Sequence, residues 1–389
     1  MNRVPSVVFL FGVGLAAAIA AAGCRDRGGS TAAETKLAAP GAATRPLRIA
    51  VIAKSASNPS FVAARTGAEN RARVLSASLR RPIQIEWLTP PQEDGAVQAQ
   101  RIAQAVKEGM DAVLLSVSDA RVVTPAIDDA VARGVPVMTF DSDAPESRRF
   151  AYCGVDDLKA GEMIMEELAR LVPRGAHVAV LAGNRAAPNL TGRVEGVLRE
   201  AARHPDLKVI GTFYTVETPE EASATVIHVD AAHPDIEGWA MVGGWALYTK
   251  TLLHHLQRDP DRVPIPPRRA RSGEAGPPPR EQRSSGRRRK PVKIVSINAL
   301  PPQLAYVEAG LAPVLLAQPA YLWGEIGVDA IVDKLTGQKK LPARIPAELV
   351  RVSADNLGVW ARQLRAWGFA DVPEELLVHD RHKLPAAAK

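Results

Sequence analysis

The sequence predicts an α/β protein of two doubly wound parallel-sheet lobes joined by a hinge. Three observations predict it. Short apolar, β-branched runs alternate with helical patterns from Leu47 onward, as repeated βα units of a parallel sheet require. The alternation starts afresh after Cys153 and gives a second half of similar size. Strand after strand ends in a short polar loop, and open parallel sheets bind ligands just past their carboxyl ends.

Residues 47–53 read as a strand buried on both faces. Pro59 favours a first helical turn and pushes Asn58 into an extended conformation. A helix over 59–78 follows, with Phe61, Ala64, Ala68 and Ala72 on one stripe. Asn58 and Phe61 thus stand at the end of the first strand, an amide beside an apolar face, as a polyol ring requires. Strands over 83–88, 111–116 and 135–140 alternate with helices over 94–108 and 122–133, the latter stopped by Gly134. A short strand at 150–153 closes the first half. The second half reads as helix 161–172, strand 177–182, helix 189–203, strand 207–214, helix 219–232, strand 239–242 and helix 246–256. Strands at 292–297 and 313–318 and a helix at 321–335 complete it. Residues 46–154 and 319–347 form the first lobe and 155–318 the second. Residues 348–389 form a C-terminal tail whose Leu357, Trp360, Leu364 and Trp367 recur at helical spacing and pack on one lobe.

Residues 1–23 read as an export signal. Arg3 supplies the positive start, and the apolar stretch 7–22 is too short and too rich in Ala and Gly for a membrane span. Ala21-Ala22-Gly23-Cys24 resembles a bacterial lipobox, which makes Cys24 the lipidated residue. The Ala-, Gly-, Thr- and Ser-containing stretch 24–45 is then a flexible tether. Cys153 has no partner once Cys24 carries lipid, and reads as a small buried residue.

The formal charge of +7 suggests nucleic acid until its position is considered. The stretch 258–290 holds eleven Arg and Lys against four Asp and Glu, which accounts for the whole excess. It is rich in Pro, Arg, Gly and Ser and reads as a disordered insertion. The domains need no nucleic-acid partner. His379 and His382 lack the Cys or paired carboxylates of a metal site. No Walker loop, nucleophile elbow or His-Glu-x-x-His motif occurs, so the sequence calls for neither metal nor cofactor.

Several marks coincide in order. They are Asn58-Pro59-Ser60-Phe61 after the first strand, Val137-Met138-Thr139-Phe140-Asp141 closing the fourth, Arg193-Val194-Glu195-Gly196, Ile297-Asn298-Ala299-Leu300 after the late strand, and Ala317-Gln318-Pro319 at the crossover. With these the chain resembles the periplasmic sugar-binding proteins of the ribose- and galactose-binding type, a type I periplasmic binding fold, over about 47–356 outside the basic insertion. The resemblance implies no catalysis. It implies a monomer whose lobes close on one sugar and deliver it to an ABC-type permease. By position it places Asn58, Ser60, Phe61 and Asp141 on the first-lobe side of the ligand. Asn189, Arg193, Asn298 and Gln318 come from the second lobe and hinge. Trp245 either stacks on the ligand opposite Phe61 or fills the space between lobes. The family's Asp-Arg closing strand four is Asp141-Ser142 here, its Asn-Asp pair is Gly244-Trp245, and its late Asp is Asn298, so ribose is not the expected ligand.

The expected function is a lipid-anchored, extracytoplasmic solute-binding protein for a sugar or polyol, partnered with an ABC-type importer. The alternative is a ligand-binding module for a sensor kinase or chemoreceptor. Asp141-Ser142-Asp143 also suggests a phosphatase, whose Asp-x-Asp binds magnesium, but that motif belongs after the first strand rather than the fourth.

Overall fold

The computed structural model describes residues 45–257 and 292–378. The expected signal, Cys24 anchor, tether, basic insertion and terminal histidines lie outside the described residues. The first lobe begins with β1 (Leu47–Ile52), α1 (Pro59–Leu79), β2 (Ile83–Trp87), α2 (Gly95–Lys107), β3 (Ala112–Leu115), α3 (Ala120–Ala132), β4 (Val137–Phe140) and β5 (Ala151–Gly154). The chain then crosses to the second lobe. There it forms α4 (Asp157–Leu171), β6 (His177–Ala182), α5 (Pro188–Ala201), β7 (Lys208–Tyr214), α6 (Pro219–Ala232), β8 (Ile236–Met241), a 3-10 turn (Trp245–Tyr248) and α7 (Lys250–Gln257). β9 (Lys293–Ile297), α8 (Pro301–Glu308) and β10 (Val314–Ala317) follow. α9 (Ala320–Thr336) and β11 (Arg344–Pro346) return to the first lobe. β12 (Val350–Ser353) goes back to the second, ahead of α10 (Leu357–Ala366) and α11 (Glu374–Leu377).

The first sheet has the order β11-β5-β4-β3-β1-β2, all parallel. The second has the order β12-β10-β9-β8-β6-β7, parallel except for β12, which pairs antiparallel with β10. Strand for strand the two sheets correspond, so the end of β1 matches the end of β6 and the end of β4 that of β9. The central strands β1, β3, β4, β8 and β10 are buried along nearly their whole length. That is what helices on both faces demand, and why their sequences do not alternate.

Each lobe covers one sheet face with a tightly crossed helix pair. In the first, a Cβ on Gly67 would lie 2.0 Å from the Tyr321 carbonyl oxygen, and one on Gly324 only 1.9 Å from that of Ala64. In the second, Gly161 and Gly196 meet the carbonyls of Arg193 and Leu158 at 2.0 Å. Gly161 therefore lies inside α4, which starts earlier than its sequence position suggests because Asp156 caps it by accepting from Lys159 N.

Three features escape the sequence reading. α8 is a short, largely buried helix between two strands, and β11 and β12 are edge strands of three and four residues that are partly exposed. The tail helix α10 packs on the second-lobe core through Leu357, Trp360 and Leu364, and Trp360 Nε1 donates to the Ala299 carbonyl at 2.7 Å. Trp367, just past it, stacks on Tyr321 of α9 at 5.3 Å, so the tail touches both lobes.

Candidate ligand-binding cleft

The loops that follow the strands of both sheets face one another across a cleft of about 320 Å³, counting its open mouth. Nine sequence-predicted positions, Asn58, Ser60, Phe61, Asp141, Asn189, Arg193, Trp245, Asn298 and Gln318, all line it.

On the first-lobe side, Asn58 caps α1 by accepting from Ser60 N at 3.0 Å, which spends its carbonyl oxygen and leaves its amide hydrogens to the cleft. Asn58→Ala is expected to cost about 1 kcal/mol of stability through the lost cap, read as a lower urea midpoint at constant m-value. Phe61 is buried and set edge-on to Phe140, which in turn touches Trp323. Asp141 ends β4 in the left-handed region at φ 59°, a conformation Asp tolerates better than most residues. This bend turns its carboxylate inward, where it accepts from Ser116 Oγ (3.0 Å) and Asn189 Nδ2 (3.2 Å). Asp143 points elsewhere: Arg149 holds both its oxygens, at 2.5 and 2.6 Å. The two carboxylates of Asp141-Ser142-Asp143 therefore do not converge as a magnesium site would need.

The second lobe answers symmetrically. Asn298 ends β9 at φ 69°, matching Asp141 in the corresponding strand. Its Nδ2 donates to Ser60 Oγ (3.1 Å) across the cleft and to Tyr248 Oη (2.9 Å). Asn189 and Arg193 lie in the first two turns of α5. Arg193 is buried, donates from Nε to Asp157 Oδ1 at 2.9 Å and from Nη1 to the Val242 carbonyl, and reaches within 3.8 Å of Asp141. Burial pushes the Asp157 carboxyl up to about 6, although Arg193 opposes this. Trp245 is buried with the outer atoms of its indole packed against two glycines. A Cβ on Gly243 or Gly183 would come within 2.2 or 2.7 Å of the ring.

Sequence reasoning missed Lys54, Ser116, Glu217, Tyr248 and Trp323. Lys54 is buried and donates to Asn189 Oδ1 at 3.0 Å. Burial alone would lower its pKa, but the acidic groups of Glu93, Glu217 and Asp141 outweigh it and hold the ammonium above its usual value. Ser116 is findable, since it sits just past the last residue of a central strand as Asp141 and Asn298 do, and so is Lys54, two residues past the end of β1. Trp323 lies in the first turn of α9 and gives no signal, because only the helix crossing decides which face meets the cleft.

Four buried polar atoms of the lining have no hydrogen-bond partner in the protein: Arg193 Nη2, Gln318 Nε2, Trp323 Nε1 and Asn298 Oδ1. Arg193 Nη2 lies 2.9 Å from Asp157 Oδ1 without the alignment to donate to it. Leaving such groups unmet costs about 1–3 kcal/mol each, so each calls for a partner that the protein itself does not supply.

The family model for the periplasmic binding protein domain matches residues 49–339. The chain belongs to this family. Its members are binding proteins rather than enzymes, and the two-lobed fold described above is theirs. The ribose import binding protein RbsB of Bacillus subtilis (strain 168) is 30% identical over 127 residues, 33% of this chain and 39% of that protein. The chain spans only part of the curated relatives it matches, from 36% to 60% of their length. An ABC transporter solute-binding protein of Burkholderia graminis C4D1M, solved with D-arabinose, superimposes with a TM-score of 0.65 at 23% identity, covering 80% of this chain and 96% of that one. A structure described as the XylFII-LytSN complex superimposes with a TM-score of 0.63 at 18% identity, covering 79% and 98%. At these identities the two structures speak for the fold. No helix among the described residues of this periplasmic binding protein is long and apolar enough to cross a membrane.

Proposed function

We propose that the protein captures one small hydroxyl-rich solute, a sugar or related polyol, between its lobes and hands it unchanged to an ABC-type importer at the outer face of a membrane. The carrying observation is the set of four unmet polar atoms, three donors and one acceptor, interleaved with Phe61, Trp245 and Trp323 around one cleft. A ring with hydroxyls on its edge and C–H groups on its faces satisfies both kinds of wall at once. Asn58, Ser60, Asp141, Asn189, Arg193, Asn298 and Gln318 supply the polar contacts in this reading. The N-terminal signal and Cys24 supply the anchor.

A thermal-shift screen over D-ribose, D-xylose, D-arabinose, D-allose, D-glucose and xylitol tests the reading. A true ligand at a thousand times its Kd adds about 4 kcal/mol and raises the melting temperature by several degrees. A flat response across the panel, or recovery of a chemically altered sugar, counts against it. The same lobes also serve a sensory role, in which the closed form docks on a signalling protein. The likeness to a chain solved in the XylFII-LytSN complex favours keeping that reading beside the first. Pull-down of an importer permease rather than a sensor from detergent-solubilised membranes of the native host separates the two.

A further inference from the structure

At one end of the cleft, two acidic side chains from opposite lobes meet. Glu93 precedes Asp94, the cap of α2, and Glu217 precedes Thr218, the cap of α6; the two positions correspond in the paired lobes. Both carboxyls converge on Asn184, at the end of β6. Its Nδ2 donates to Glu93 Oε1 at 3.0 Å and to the Ser118 carbonyl at 3.2 Å, both in the first lobe, while its backbone N–H donates to Glu217 Oε1 at 2.9 Å. Held by the same asparagine, the two carboxyls lie near enough for the charge of Glu93 to raise Glu217. Two neighbouring carboxyl groups disfavour double ionisation, which favours a proton on one of them.

We propose that lobe closure takes up a proton at the Glu93–Glu217 pair, so that the closed form binds one proton more than the open form. The groups facing Glu217 are few. They are Lys54 from the loop after β1, Glu93 from the loop after β2, and the Asn184 backbone N–H. Asp141 and Arg193 lie one step further off, acting on Lys54. Lys54 Nζ stands 4.0 Å from Glu93 Oε1, so one ammonium, one carboxylate and one neutral carboxyl leave the cluster uncharged. Lys54 and Glu93 belong to the same lobe and stay together when the cleft opens. Glu217 belongs to the other lobe. Opening carries it into water, where a Glu ionises near its ordinary value of about 4.3. In the closed form, burial and the neighbouring Glu93 charge push Glu217 up to about 8 despite Lys54. The sign follows: a carboxyl raised in the closed state stabilises that state fully below about pH 4.3. Its contribution declines through the window to about pH 8 and is gone above it.

The test needs no ligand. Small-angle scattering of the full-length protein is recorded from pH 5 to pH 9 for wild type, Glu217→Gln and Glu93→Gln. Circular dichroism and a thermal midpoint confirm that each is folded. Wild type is expected to expand as pH rises, with a larger radius of gyration at pH 9 than at pH 6. Glu217→Gln, whose amide donates to Glu93 at every pH, is expected to stay compact throughout, and Glu93→Gln to lose the pH response likewise. A wild-type radius of gyration that does not change over this range overturns the proposal. So does a pH response that survives in both variants.

Discussion

Asp141→Ala is expected to weaken solute binding by about 30- to 1,000-fold, roughly 2–4 kcal/mol, when titrated calorimetrically with whichever sugar stabilises the wild type. The size follows from what the carboxylate touches. It accepts from Ser116 in its own lobe and from Asn189 in the other, and lies 3.8 Å from Arg193. Truncation leaves the Ser116 hydroxyl and the Asn189 amide without an acceptor and removes a link between the lobes. It therefore penalises both the ligand contact and closure itself. Arg193 keeps Asp157, which is in the same lobe, so the second lobe should still fold. Asp141→Asn preserves shape and one acceptor while removing the charge, and should fall between wild type and Asp141→Ala. Affinity within twofold of wild type for Asp141→Ala would remove this residue from the site.

The fold was legible because burial on both sheet faces makes strands continuous apolar runs, and βα alternation then forces parallel pairing. Asp141 and Asn298 were legible for a related reason: each follows a strand directly, where an open parallel sheet must place its ligand, and Asn58 was legible because Pro59 marks the helix start after the first strand's loop. What escaped depends on relations between distant segments. β11 and β12 are short and half exposed, and only their pairing with β5 and β10 defines them. Trp245 appeared as an aromatic with two possible destinations. Its place is set by Gly183 and Gly243, sixty residues apart in sequence, which form the shelf for the indole. Lys54 passed for an ordinary loop charge. Its burial becomes affordable only because Glu93, Glu217 and Asp141 arrive from three other loops.

The largest stability loss is expected from a substitution outside the cleft, Gly196→Val. An added Cβ there lies 2.0 Å from the Leu158 carbonyl oxygen and 2.8 Å from Glu162 N, both backbone atoms that no rotamer change can move. α4 and α5 would have to separate, at a cost of about 3 kcal/mol or more. For a unit of lobe size that corresponds to a fall of roughly 6–12 °C in melting temperature. Gly175→Ala is the control. Gly175 has φ 78° but nothing within 4 Å of a Cβ, so it reports backbone strain alone, about 1–2 kcal/mol. A fall for Gly196→Val no larger than for Gly175→Ala would mean that the helices are not held at backbone contact. The consequence reaches the site, because α5 carries Asn189 and Arg193 in its first two turns. The first lobe repeats the device: Gly67 against Tyr321 fixes α1, which carries Ser60 and Phe61. In each lobe, then, a glycine at a helix crossing sets where the binding side chains stand. Gly196→Val and Gly67→Val should both lose ligand affinity even at temperatures where the chain remains folded.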